Sequence, residues 1–160
     1  MTFGLSLAAF TAVHVVISLI GILTGFLAIF AMFKGNTPRG LTGLFLLTTI
    51  LTSVTGFLFP FNGVTPGIIL GVLSMIALAI AVVAFYVRGL AGSWRSVYAL
   101  TAVIAQYFNV FVLFAQLFAK TPALKAIAPT QASPVFGATQ LAVLVIFILL
   151  GRKAFKGMRA

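Results

Sequence analysis

The sequence predicts an all-α integral membrane protein, a bundle of five transmembrane helices with its N-terminus outside and its C-terminus in the cytoplasm. Three observations carry this. Apolar residues make up 62% of the 160-residue chain and charged residues only 6%, with a mean hydropathy of +1.28, a composition of multispan membrane proteins. The apolar residues gather into five runs separated by polar breaks. The ten lysines and arginines fall unevenly among those breaks, and no aspartate or glutamate balances them.

The runs are Phe3–Phe33, Leu41–Phe59, Gly67–Val87, Val97–Ala119 and Val135–Leu150. A helix needs ~20 residues to cross a hydrocarbon core of ~30 Å. The first run exceeds that and is expected to tilt or to begin in the interface. A cleaved signal peptide is its rival reading, but that needs a basic start and a small-residue cleavage site. The chain opens MTFGLSLAAF without charge, and its first cations follow the run, so a retained span is expected. The next three runs suffice for a crossing. The last is short and borrows Gly151 and the snorkelling stems of Arg152 and Lys153. All six prolines (Pro38, Pro60, Pro66, Pro122, Pro129 and Pro134) fall in the breaks, where a missing N–H and a ring clash do no harm to a helix. Without ten-residue alternation, barrel strands are not expected. The chain reads as a single membrane domain, residues 1–160.

The charges orient the bundle. Lys34, Arg39, Arg88 and Arg95 follow the first and third runs, and Arg152, Lys153, Lys156 and Arg159 follow the fifth. The opposite side carries Lys120 and Lys125 alone. Basic loops stay cytoplasmic, so the C-terminus is expected inside. Membrane lipids, with anionic headgroups on the cytoplasmic side, are the expected partners of these cations. None is interleaved with aromatic residues in an RNA-binding pattern, so nucleic acid is not expected. Phe57, Phe59, Phe61 and Trp94 read as interfacial anchors.

The outer connector, KTPALKAIAPTQASP from Lys120 to Pro134, contains Leu124, Ile127 and three prolines. It reads as a segment on the membrane surface, either a solvated linker or a lid over an outward cavity.

Small residues line one face of the first run at Ser18, Gly21, Gly25 and Ala28, and of the third at Gly67, Gly71, Ser74, Ala77, Ala81 and Ala84. Gly21/Gly25 and Gly67/Gly71 are GxxxG pairs, which let backbones approach closely. Helix packing within the chain is the leading reading, and a homodimer or larger membrane complex the alternative.

Polar residues mark a candidate ligand or solute path. Thr48, Thr52 and Thr55 share a face of the second run, although threonine hydroxyls bond back to their own helix at little cost. Gln106, Asn109 and Gln116 lie within about a quarter-turn on the fourth run, and Thr139 and Gln140 begin the fifth. Amides in lipid need a neighbouring helix, a cavity or a ligand. Gln106, Asn109, Gln116, Thr52 and Ser18 are the path candidates, for an anion or a neutral solute. His14 is the only histidine. It reads as a neutral side chain bonded to a hydroxyl or amide, as a group with a transport or ligand role, or as a contact to haem or quinone.

The missing carboxylates remove the usual general bases, hard-cation ligands and proton carriers. With no cysteine and one histidine, no metal site is expected. No Walker loop, nucleophile elbow, HExxH or dinucleotide fingerprint occurs. An enzyme is therefore not expected. Zero acids beside ten bases is improbable at an ordinary charged fraction and raises engineering or unusual selection as its origin.

The stretches LTSVTGFLFPFN, YALTAVIAQYFNVFVLFAQ and KTPALKAIAPTQASP resemble a group of uncharacterised small multispan bacterial inner-membrane proteins, over most of the chain. The resemblance implies a bacterial inner membrane and no particular activity. Relatives carry acidic loop residues and a histidine near the start of the third span. Here that neighbourhood reads TPGIILG, so a two-histidine haem site across the first and third spans is lacking. A structural or accessory membrane subunit is the first expectation, a small anion or neutral-solute transporter the second, and a b-type haem or quinone protein using His14 the third.

Overall fold

The computed structural model describes residues 4, 6–60, 63 and 65–159. Phe3, where the first expected span begins, and Phe61 lie outside them. Regular structure among the described residues is helical: α1 (Leu7–Met32), α2 (Arg39–Phe57), α3 (Pro66–Val82), α4 (Trp94–Lys120), α5 (Pro122–Ile127) and α6 (Pro134–Arg159). Among them α1, α2, α3 with its continuation to Val87, α4 and α6 are long and apolar enough to cross a membrane.

Local chemistry explains the helix ends. The Ser6 hydroxyl accepts from Ala9 N–H at 3.2 Å, capping α1. Thr65 does the same for α3 through Ile68 N–H at 3.3 Å, with Pro66 in the first turn, where its missing N–H is harmless. α1 ends on a Schellman turn. Gly35 N–H reaches Met32 O at 2.9 Å and Asn36 N–H reaches Ala31 O at 3.1 Å. Gly35 adopts φ +71° there, the left-handed conformation that glycine takes without strain. α3 instead loosens into a π-helical turn, Val83–Val87, in which Arg88 N–H bonds Val83 O at 2.9 Å.

α6 departs from the sequence expectation. It does not stop near Leu150 but continues to Arg159. The cations end the apolar run, not the helix, because no proline or glycine cluster interrupts Arg152–Arg159 and the buried Ala154 and Met158 hold this stretch to the bundle. The connector from Lys120 to Pro134 also has structure of its own, the short α5.

α4 is the axis of the bundle and packs on α1, α2, α3 and α6, while α1 also packs on α2 and α6. Small residues set its distance from α3. Ala77, Ala81 and Ala84 of α3 are buried with Tyr98, Ala99 and Ala102 of α4. α1 meets α2 and α4 through Gly21 and Gly25. A Cβ on Gly21 would lie 3.2 Å from the Thr48 hydroxyl, and one on Gly25 would collide with the Gln106 amide. This pair is enclosed by the chain's own helices.

At the end bearing Lys34, Arg88 and Arg159, Arg95 ties three helices together. Its Nε donates to Met158 O at 2.9 Å and its Nη2 to Gly35 O at 3.0 Å. Both acceptors lie at helix C-termini, where carbonyls lack intrahelical partners and carry partial negative charge. Three further cations at this end rest on rings: Arg88 on Trp94 at 5.1 Å, Lys153 on Phe33 at 4.6 Å and Arg159 on Phe155 at 5.5 Å. At the opposite end Phe118, Ala128 and Phe136 form a small second core with Leu124 packed on it.

Candidate functional site

A cavity of about 450 Å³ lies among α1, α2, α3 and α4. Its walls run from Leu7, Pro60, Gly67 and Lys120 at the helix ends down to Ile22, Ser74 and Asn109 in mid-bundle. Most of the lining is aliphatic or aromatic. The polar groups come from all four helices: Thr11, His14 and Ser18 from α1, Thr52 and Ser53 from α2, Ser74 from α3, and Asn109, Gln116 and Lys120 from α4.

The hydrogen bonds decide which of these are donors. Thr11 donates to Leu7 O, Ser18 to His14 O and Thr52 to Thr48 O, at 2.7, 2.7 and 2.8 Å. Their protons are used within their own helices, leaving only lone pairs for a ligand. Asn109 Nδ2 donates to Thr49 Oγ1 at 3.3 Å, which holds the amide against the cavity wall. Ser74 is 4% exposed and its Oγ has no partner. A buried hydroxyl left this way costs about 1–3 kcal/mol unless something else satisfies it.

His14 is fixed by Thr55. Its Nδ1 lies 2.7 Å from Thr55 Oγ1, and that hydroxyl lies 2.6 Å from Leu51 O. Two oxygens this close need a proton between them, so the Thr55 hydroxyl proton points at Leu51 O. The proton shared with His14 must then come from the imidazole. The neutral His14 ring is therefore the Nδ1–H tautomer, donating to Thr55, and in that form it keeps a lone pair on Nε2. Phe59 packs edge-on against the ring at 5.1 Å and Phe10 packs on Phe59 at 5.0 Å, so the imidazole is braced on two sides.

Of the path candidates, Ser18, Thr52, Asn109 and Gln116 line this cavity together with His14, and Gln106 does not. Gln106 is wholly buried below it. Its Nε2 donates to Ile22 O at 2.7 Å and its Oε1 has no partner. The side-chain-free face of Gly25 lets α1 close over the amide, so Gln106 forms a floor between helices. Gly67 and Gly71 also belong to the cavity wall. A Cβ on Gly67 would meet only its own cap residue Thr65, and one on Gly71 would meet the Phe57 ring at 2.7 Å. Phe57 and Phe59, expected as interfacial anchors, pack around the cavity because α1 and α3 flank the end of α2. The connector is no lid over it: of residues 120–134 only Lys120 reaches the cavity, while Leu124 turns to Phe118 and Phe136.

Ser53, Ser74 and Lys120 line the cavity but are not among the path candidates that the sequence offers. Ser74 was hidden inside the small-residue stripe, where serine and alanine serve packing equally well.

No family model, curated protein or solved structure matches this chain. The five apolar helices are compatible with a multi-pass membrane protein, and the chemistry of the cavity bears on the rest.

Proposed function

We propose that this chain is a multi-pass membrane protein that binds a small neutral or anionic molecule in the α1–α4 cavity, and that it is not an enzyme. The carrying observation is the orphaned, buried Ser74 hydroxyl in a cavity that also presents the His14 Nε2 lone pair and the Asn109 and Gln116 amides. A ligand that satisfies this set donates a hydrogen bond to His14 and accepts from the amides. The cationic Lys120 admits a negative group and disfavours a cation. Carboxylates, on which cation sites and proton relays commonly rely, are lacking. The apolar remainder of the wall suits a carbon skeleton.

The orientation belongs to the same reading. The basic end faces the cytoplasm under the positive-inside rule, so the cavity lies in the outer half, and the inner membrane of a bacterium is the proposed location. Gln106, Gly25 and Phe45 close the bundle beneath the cavity, a geometry of binding that becomes transport only if this floor opens. Native mass spectrometry of protein extracted from its own membrane tests the proposal. A bound small molecule is expected, and it should be lost from Asn109→Leu. Extraction of ligand-free protein whose melting temperature answers to no small-molecule panel would reject it. Chloride and glycerol flux in proteoliposomes tests transport, and a Soret band would favour haem instead. If the protein serves as an accessory subunit, extraction also returns its complex.

A further inference from the structure

A second concavity lies on the outer surface of the bundle, between α4 and α6, with a volume of about 690 Å³. Its apolar part is formed by Leu100, Val103 and Ile104 of α4 and Leu144, Phe147 and Ile148 of α6. One end carries Arg152, Lys156 and Arg159. These lie at i, i+4 and i+7 on the unbroken α6 and so share one face. From Leu144 to Arg152 the helix rises ~12 Å, close to the ~15 Å of one leaflet's hydrocarbon. No acidic side chain exists anywhere in the chain to neutralise these cations.

We propose that this groove is a binding site for one anionic phospholipid. An acyl chain lies along the α4/α6 valley and the phosphate sits among Arg152, Lys156 and Arg159. Charge complementarity and length select this occupant over a zwitterionic lipid or a helix of another protein. The order of α6 beyond its apolar run matters here, because a frayed tail would not hold three cations over one valley.

Native mass spectrometry of delipidated protein, titrated with phosphatidylglycerol or phosphatidylcholine of identical chains, tests the site. A preference for phosphatidylglycerol on the order of tenfold or more is expected. It should fall to about one in the triple variant Arg152→Gln/Lys156→Gln/Arg159→Gln. The control Lys34→Gln/Arg39→Gln/Lys153→Gln, equal in charge change and at the same end, should keep it. Equal retention of the two lipids, or a control that loses the preference as fully as the triple variant, overturns the site. So does displacement of phosphatidylglycerol by equimolar glycerol 3-phosphate, which would mark a headgroup site without the groove. These readouts do not involve the α1–α4 cavity, so this proposal and the ligand reading fail separately.

Discussion

Gly25 of α1 and Gln106 of α4 occupy complementary space: the amide fills the position that any side chain on residue 25 would need. The contact lets Gln106 Nε2 reach the backbone of α1 at Ile22 O, although that carbonyl already serves its own helix. One missing side chain thus provides both the close approach and a partner for a buried amide.

Gly25→Val is expected to destabilise the protein by about 1–3 kcal/mol through overpacking against Gln106 and Phe45. Gly67→Ala, where the added carbon meets only the Thr65 hydroxyl at an ordinary contact distance of 3.7 Å, should leave the melting temperature in detergent unchanged. Equal effects of the two substitutions would contradict the difference in packing between Gly25 and Gly67.

Arg95→Met removes the donors to Gly35 O and Met158 O and should cost about 1–3 kcal/mol. Lysine keeps the charge but cannot span both carbonyls with a planar fork, so Arg95→Lys should recover only part of the loss. Hydrogen exchange should rise first at residues 34–38 and 157–159, and exchange confined to other segments would argue against the clamp.

The His14 tautomer is directly measurable, because a single histidine gives a single pair of ring nitrogen resonances. Solid-state ¹⁵N spectra should find the proton on Nδ1. Thr55→Val removes its acceptor and should release the tautomer toward Nε2–H. A parent spectrum with the proton on Nε2 would refute the assignment.

With no native cysteine, topology can be read by single introductions. Gln131→Cys should react with a membrane-impermeant maleimide added outside intact cells, and Asn36→Cys only after lysis. The reverse pattern would invert the orientation.

Much of the helix content was legible because hydropathy and proline placement act locally. Pro66, Pro122 and Pro134 each open a helix, and the first four spans begin and end within a few residues of their expected limits. The end of α6 was not legible, since hydropathy stops at Arg152 while the burial of Ala154 and Met158 is a tertiary fact. The candidate cavity was half legible. Asn109 and Gln116 share a face by helical geometry, but Gln106 shares it too, and only the approach of α1 at Gly25 separates it from them. Ser74 needed the position of α3 relative to α4, which no periodicity within α3 supplies.

Arg88, Arg95, Lys153 and Arg159 at the basic end are held by carbonyl oxygens and ring faces, none of which titrates in acid. Most proteins loosen at low pH because paired carboxylates take up protons. Here the Arg95 clamp and the three ring-borne cations have no such partner to lose. This end should keep its packing from neutrality into strong acid, and a melting temperature read through the Trp94 environment should stay level where an ordinary protein's would fall.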